Sequence, residues 1–480
     1  MTVTSTDDRF ATMKPFRAGA AGPVPTGDLP PGPRWPALLQ SIALVRFRHH
    51  FVPAMHRKYG DVFSVRIIPQ GSALVLFTRP EHAKEIFAGD PEVFHAGKGN
   101  AILGPIMGEH SLLLQDSAEH KRARKLLMPA FNGAALHGYR SVVTQLAKEE
   151  VGSWSDGVPF RALPRMNALT LEVILRVVFG VTDDERLAAL RPLVRATVDV
   201  SPAVLLGWGY PVLQKFGPWK ATVDNQRALD RVMYAEIAGR RSVTDLAERT
   251  DVLSRLLAVG GRSNEEGSGR RHGHADADDA VDGGDGGEDP LSDVELRDQL
   301  VTLLLAGHET TASALSWTLY ELGRDAAQLD LAQAAADAGD DSYLEAVVKE
   351  SMRMHPVIPM VVRHLMAPAT IGGIDLPAGV NVGPSIIISH ARPDNHRDPE
   401  AFRPERFLSG EVAPNTWIPF GGGVRRCIGA GFSLMEGVAV LREVLGRFDV
   451  HLPHSTRDFP RVRNITSVPR HGARIVVTSR

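Results

Sequence analysis

The one cysteine of this 480-residue chain stands where a thiol could do chemistry. It lies in the run Phe420-Gly421-Gly422-Gly423-Val424-Arg425-Arg426-Cys427-Ile428-Gly429. Three glycines in a row let a chain turn sharply and bring backbone close to a ligand. A helical pattern begins just after Cys427, over about Ile428 to Phe448. The free N–H groups and positive dipole end of a helix N-terminus favour a thiolate. N–H groups of the tight turn can also donate to the sulfur, as they do around metal-bound thiolates. Gly429 would let the helix lie against a flat macrocycle. A structural cysteine buried beside a glycine turn is the other reading of the same residues.

Three further constellations stand out. Ala306-Gly307-His308-Glu309-Thr310-Thr311 interrupts a stretch that is otherwise apolar on nearly every helical face. A buried acid and buried hydroxyls are costly unless paired. Thr310 can bond back to the Ala306 carbonyl and bend the helix, and Ala306 and Gly307 leave space beside the bend. A pocket for a small diatomic ligand, lined by an acid and an alcohol, follows; a merely kinked core helix is the alternative. A zinc-binding HExxH motif is ruled out, because it needs histidine where Ala312 stands. Glu350 and Arg353 lie three apart on one helical face, and His120 and Arg124 lie four apart on another. Singly, such charges are ordinary surface features worth little.

Together they resemble one family. Phe420, Gly423, Arg425, Cys427 and Gly429 match the FxxGxRxCxG loop of the cytochrome P-450 family. Glu350-Ser351-Met352-Arg353 is similar to its ExxR motif, and Ala306 to Thr311 to its [AG]Gx[DE]T[TS] motif. The likeness runs in chain order over roughly residues 30 to 478. It implies a mainly α fold with small β-sheets (α+β), with haem b between a long central helix and the helix after the cysteine. Cys427 would be the axial thiolate and metal ligand, and Phe420 its shield. Gly421, Gly429, Ala306 and Gly307 would lie against the haem. Arg425, His120, Arg124 and Arg363 would hold its propionates, the histidine–arginine pair being a bacterial-type feature. Arg406, in Pro404-Glu405-Arg406-Phe407, would complete a Glu350–Arg353–Arg406 scaffold triad. Thr310 would hydrogen-bond the bound dioxygen, and Glu309 would relay protons.

The implied reaction inserts one oxygen atom of O2 into a lipophilic molecule such as a fatty acid, steroid or terpenoid. The other oxygen leaves as water. Electrons must come from outside the chain, from a ferredoxin and its reductase. The segment Gly429-Ala430-Gly431-Phe432-Ser433-Leu434 is no dinucleotide fingerprint, because Leu434 replaces the last glycine. Lys121, Arg122, Lys125 and Arg426 could dock an acidic donor. Ala101 to Met107, Val204 to Trp208, Ala306, Val357 to Val361 and the neighbourhood of Ile465 are the expected pocket lining. A peroxygenase or isomerase on the same fold, and a non-catalytic haem protein that binds a gas, are rivals. Glu309 and Thr310 argue against both, since neither needs a proton relay.

These residues need a large scaffold. Hydrophobic residues make up 43% of the chain and charged residues 23%, ordinary for a globular protein. A net charge of −2 gives no global field that would favour nucleic acid. One cysteine excludes an internal disulfide and an iron–sulfur cluster. The N-terminus lacks the apolar core of a secretory signal, and no apolar run is long enough for a membrane anchor. A cytoplasmic monomer is expected.

Residues 1–29 are expected to be a disordered tail before a single domain spanning 30–480. Residues 261–290 are expected to be a flexible Gly/Asp-rich loop, in which His272 and His274 could touch a metal but read more simply as solvated. Phe63, Val65 and Ile67, a turn at 69–71, and Ala73 to Phe77 predict a β-hairpin. Helices predominate from Pro80 to about residue 258. A capping box at Ser292–Glu295 predicts a helix to about Arg324, and another at Ser342–Glu345 opens one that stops before Pro356. Short strands are expected at Ala369 to Ile374 and Gly379 to Val382.

Overall fold

The computed structural model describes residues 29–68, 72–181, 183–201, 204, 208, 212–258, 289–453 and 457–480. The expected tail, the expected 261–290 loop with His272 and His274, and the 69–71 turn lie outside the described residues, apart from Leu29, Asp289 and Pro290. Helices make up most of what is described, and the strands form small sheets.

The central helix runs from Asp293 to Leu322, roughly 45 Å at 1.5 Å per residue. Its start is set by the capping box: the Ser292 hydroxyl accepts from the Glu295 N–H, and the Glu295 carboxylate accepts from the Ser292 N–H at 2.8 Å. Most of its residues are buried on all faces. Five of its hydroxyls are satisfied within the helix. Thr302, Thr310, Ser313, Ser316 and Thr318 each donate to the carbonyl four residues back, at 2.6–2.8 Å.

The helix Ala162–Phe179 lies alongside, and Thr170 donates to the His308 carbonyl at 3.0 Å. The helix after the cysteine, Ala430–Leu445, packs on the helices Gly133–Gly152 and Asp341–Met354. Tyr139 meets Phe432 edge-on at 6.0 Å. The expected hairpin is present: Val62–Ile67 pairs antiparallel with Ser72–Phe77, with Phe63 opposite Leu76 and Val65 opposite Leu74. Asn381–Pro384, Arg363–Leu365 and Phe94–His95 extend that sheet. No described helix is long and apolar enough to cross a membrane.

Three local expectations are corrected. The helix carrying Glu350 and Arg353 is capped by Asp340, not Ser342; the Asp340 carboxylate accepts from the Ser342 and Tyr343 N–H groups. The reason is Gly339, whose left-handed φ of +76° ends the previous helix and turns the chain early. Ala369 to Ile374 is not one strand. Gly372 and Gly373, with φ of +58° and +75°, fold it into a hairpin of Ala369–Ile371 and Ile374–Leu376. The last helix is shorter than expected, because Phe448 already belongs to the strand Phe448–His451.

Candidate active site

The cysteine loop is built by its glycines. Gly421 and Gly423 take left-handed φ values of +66° and +63°. A Cβ on Gly423 would lie 2.0 Å from the Phe87 carbonyl oxygen, and one on Gly422 would enter the Phe87 ring at 2.3 Å. Two of the three glycines thus answer Phe87, on the helix Pro80–Ala88, rather than a ligand. The loop is closed by N–H bonds from Gly421 to Ile418, Arg426 to Gly423 and Cys427 to the Phe420 carbonyl, at 2.9–3.0 Å. The Phe420 ring rests against the edge of Trp417, centroids 5.8 Å apart.

Cys427 lies three residues before the helix rather than at its first turn. One backbone N–H, that of Gly429, favours its thiolate. Burial pushes the thiol up, with Gly429, Arg124 and Arg426 opposing. The side chain is nonetheless accessible. The two observations are compatible if the sulfur is surrounded by protein yet opens on an internal space. Beside it, a Cβ on Gly429 would meet nothing within 4 Å.

The central helix presents the opposite wall. Ala306 is exposed and Thr310 half-buried, one turn apart on a helix that is mostly buried beyond its first turn. The central helix touches the post-cysteine helix where the Thr311 and Ser433 hydroxyls stand 3.2 Å apart. That contact lies one residue from Thr310 and six from Cys427. Gly307 is used differently from Ala306: its missing side chain makes room for Ile174, whose Cδ1 would sit 2.7 Å from a Cβ. The Thr310 hydroxyl donates to the Ala306 carbonyl at 2.7 Å. His308 is buried against the Leu304 carbonyl.

Glu309 is buried, and burial pushes its carboxyl up to about 7. Arg463, from the strand Pro460–Arg463, opposes this with Nε 3.1 Å from Oε1. That approach misses hydrogen-bond alignment, for Oε1 has no hydrogen-bond partner. The pair is an attraction without a bond, which is why burial prevails. Arg463 also pairs with Asp199.

Four predicted basic side chains converge. Burial, with Arg425, Arg124 and Arg363 adding to it and Asp116 opposing, lowers the His120 imidazole to about 3. Burial also lowers Arg363 and Arg425 to about 10 each. Guanidinium does not shed its proton, so the lowering marks the cost of burying these charges. Arg425 bonds to Asp116 and to the Leu112 and Gln115 carbonyls, and the Arg363 side chain to the Val362 carbonyl. Arg124 lies close enough to Cys427 for each to shift the other.

The triad is assembled and buried. Arg353 makes a two-pronged bond to Glu350 at 2.8 and 2.9 Å, and Arg406 joins at 3.0 Å; all three are at most 1% exposed. His390 connects it to the cysteine loop. Its Nε2 accepts from the Ile418 N–H at 2.9 Å, so its Nδ1 carries the proton and donates to the Arg353 carbonyl at 3.2 Å.

The cytochrome P450 family profile matches residues 30–475. The chain belongs to the cytochrome P450 family. Cytochrome P450 135A1 of Mycobacterium tuberculosis is 52% identical over 451 residues, 94% of this chain and 95% of that one. Cytochrome P450 135B1 of Mycobacterium bovis is 39% identical over 455 residues, 94% of this chain and 91% of that one. The fold matches a retinoic acid-bound cyanobacterial CYP120A1 with a TM-score of 0.79 at 23% identity, over 94% of this chain and 99% of that one. It matches the haem domain of cytochrome P450DA at 0.75 and 24% identity, over 94% and 97%. The P450 is accordingly a haem-binding oxidoreductase of monooxygenase type.

The residues fit that cofactor. An accessible thiol stands beside Arg124, a glycine leaves room for a flat group, and His120 and Arg363 are buried close to Arg425. Four contributors escaped the sequence reading: Phe87 under the glycines, Asp116 among the cations, His390 behind the triad and Arg463 beside Glu309. Phe87, His390 and Arg463 are distant in sequence from the motifs they serve, and no spacing rule links them; Asp116 stands only four residues before His120.

Proposed function

We propose that this P450 oxidises a lipophilic small molecule with haem held by Cys427, residues 30–480 acting as one catalytic domain. Cys427 is the only cysteine, so no other residue of this chain can supply a thiolate. Bound haem would supply the oxygen-activating chemistry. Phe420 then covers the thiolate side, Gly429 accommodates the plane, and His120, Arg124, Arg363 and Arg425 hold the propionates. Burial favours the protonated Glu309 carboxyl near neutral pH, and the neighbouring Thr310 offers a hydroxyl that donates to the Ala306 carbonyl. The observation that carries this reading is the accessible Cys427 with Arg124 beside it, together with the exposed Ala306 one turn from Thr310 on the buried central helix.

The lipophilic-substrate reading is supported by the cluster Ile106, Val200, Val204, Trp208 and Val223, against which Leu305 packs beside Ala306. It unites the expected 101–107 and 204–208 segments with the central helix. Electrons come from a separate ferredoxin and reductase in the cytoplasm. Of the expected docking cations, Arg122 is committed to Glu295 at 2.6 Å and to the Asp289 carbonyl. Lys121 and Arg426 are exposed and are the candidates for that docking; Lys125 is exposed but has a partner within the protein.

The first test is the carbon monoxide difference spectrum of the reduced protein. A Soret band at the wavelength that names the family is expected, and its loss in Cys427→Ser with haem retained. An unchanged band in that variant would refute the assignment. Screening lipophilic compounds for a low-to-high-spin shift then tests the substrate class.

A further inference from the structure

The helix Ala37–Arg46 is packed with its polar side inward. Gln40 is fully buried: its amide donates to the Pro33 and Trp35 carbonyls at 3.0 and 2.6 Å, and its oxygen accepts from the Arg66 N–H at 2.8 Å. Ser41 accepts from the Ile68 N–H at 2.9 Å. These bonds to the neighbouring strand fix the helix's rotation. Its other side is then forced outward, with Leu38, Leu39, Ile42 and Val45 each 46–56% exposed. Leu38, Ile42 and Val45 follow the i, i+4, i+7 spacing of one helical stripe. Trp35 and Phe47, about half exposed, extend the ridge at both ends. Six neighbouring large apolar side chains left open differ from scattered single ones and mark an interaction surface.

The exposed charge along this segment is basic, and Asp61, next in sequence, is held by Arg79 and Arg392. Residues 29–60 contain five Lys or Arg and no Asp or Glu. Arg48 turns inward to the Asn464 and Ile465 carbonyls. Arg34, Arg46, Arg57 and Lys58 are exposed, and no described carboxylate pairs with them. Beside the ridge lies a cleft of about 530 Å³, in which Arg34, Lys58 and Tyr59 face Trp35, Met55 and Pro33. Two cations and a phenol over an apolar floor suit a phosphate carried on a hydrocarbon chain.

We infer that this ridge and cleft dock the protein on an anionic lipid bilayer. The apolar stripe enters the acyl boundary, and Arg34 and Lys58 take a lipid phosphate. An apolar face flanked by basic residues is the pattern of a helix lying in the interface plane. The contact is peripheral, since no described helix crosses a membrane. A second copy of this chain is a poorer partner, because the facing ridges would bring like charges together.

Flotation of full-length holoprotein with vesicles tests this. Binding to phosphatidylcholine–phosphatidylglycerol vesicles is expected, with little binding to phosphatidylcholine alone and release by salt. Leu38→Ser/Ile42→Ser should weaken binding about tenfold or more, and Arg34→Glu/Lys58→Glu should do the same. All four sites are on the surface, so an unchanged carbon monoxide spectrum shows that each variant is folded. Failure to bind anionic vesicles overturns the inference, as does binding that ignores lipid charge or both double variants. A dimer by sedimentation that Leu38→Ser/Ile42→Ser dissolves, without vesicle binding, would assign the ridge to a second copy. Binding that appears only after deletion of residues 1–28 would assign it to the chain's own N-terminus. Either result would overturn the bilayer.

Discussion

Glu309 shows how one residue's chemistry is set by neighbours its motif does not contain. A carboxyl pushed up to about 7 is largely protonated below neutral pH and can give a proton there. If that proton is used in turnover, product formation falls as pH rises through about 7. Arg463 opposes the rise, so Arg463→Gln should move the midpoint to higher pH, and Glu309→Gln should remove this pH step and slow turnover. A pH profile of coupled product formation at saturating substrate checks this; a midpoint indifferent to Arg463 would remove the pair from the mechanism. Thr310 is a caution at the same scale. Its back-bond is one of five such bonds along the helix, so the bond alone does not mark an active residue. What distinguishes Thr310 is its place one turn from exposed Ala306.

The cysteine loop and the triad carry the predictions of element scale. Gly423→Ala places a Cβ 2.0 Å from the Phe87 backbone at positive φ, so the apo chain should be destabilised by several kcal/mol, on the order of the largest single-site effects. Gly429→Ala meets no protein atom and has φ of −88°. It should leave apo stability within about 0.5 kcal/mol of wild type yet lower haem occupancy. Urea unfolding and haem titration of the two variants separate the roles. The triad gives a third expectation. Glu350→Gln leaves Arg353 and Arg406 buried without their carboxylate and should cost about 3–5 kcal/mol. Through His390 and Ile418 the loss should reach the cysteine loop, so the carbon monoxide band of any protein that still folds should diminish. A stable variant with an unaltered band would mean that the triad does not support the loop.

At the scale of the whole molecule, buried histidines tie stability to pH. Burial holds His390 down to about 3 and His396 to about 4, against an ordinary 6.5. Below about 6.5 the unfolded chain therefore binds more protons than the folded one. Their stabilising effect is fully present above that pH and is lost progressively as pH falls toward 4 and 3. A tenfold change in proton affinity is worth roughly 1.4 kcal/mol, so the combined effect is a large part of a typical folding free energy. Protonating His390 would also break its bond from the Ile418 N–H. Calorimetry from neutral pH downward should show Tm falling steeply below about pH 6, with a shallower fall in His396→Gln. A Tm flat down to about pH 4.5 would contradict the neutral buried state.

Local rules carried much of this protein. Hydrophobic period and capping chemistry placed the hairpin and the central helix, and the spacing around Cys427, Glu350 and Thr310 was enough to suggest the family and its cofactor. Such features depend on residues within a turn or two of each other, where backbone geometry dictates which side chains share a face. The rest depended on which surfaces meet. That Gly422 and Gly423 serve Phe87, that Gly307 serves Ile174, and that Asp340 rather than Ser342 caps a helix could be decided only by packing. Arg463 reaches Glu309 across 154 residues of chain, and His390 bridges the triad to the loop. These long-range pairings follow from how helices and sheets bury one another, and in a single sequence they leave no periodic trace.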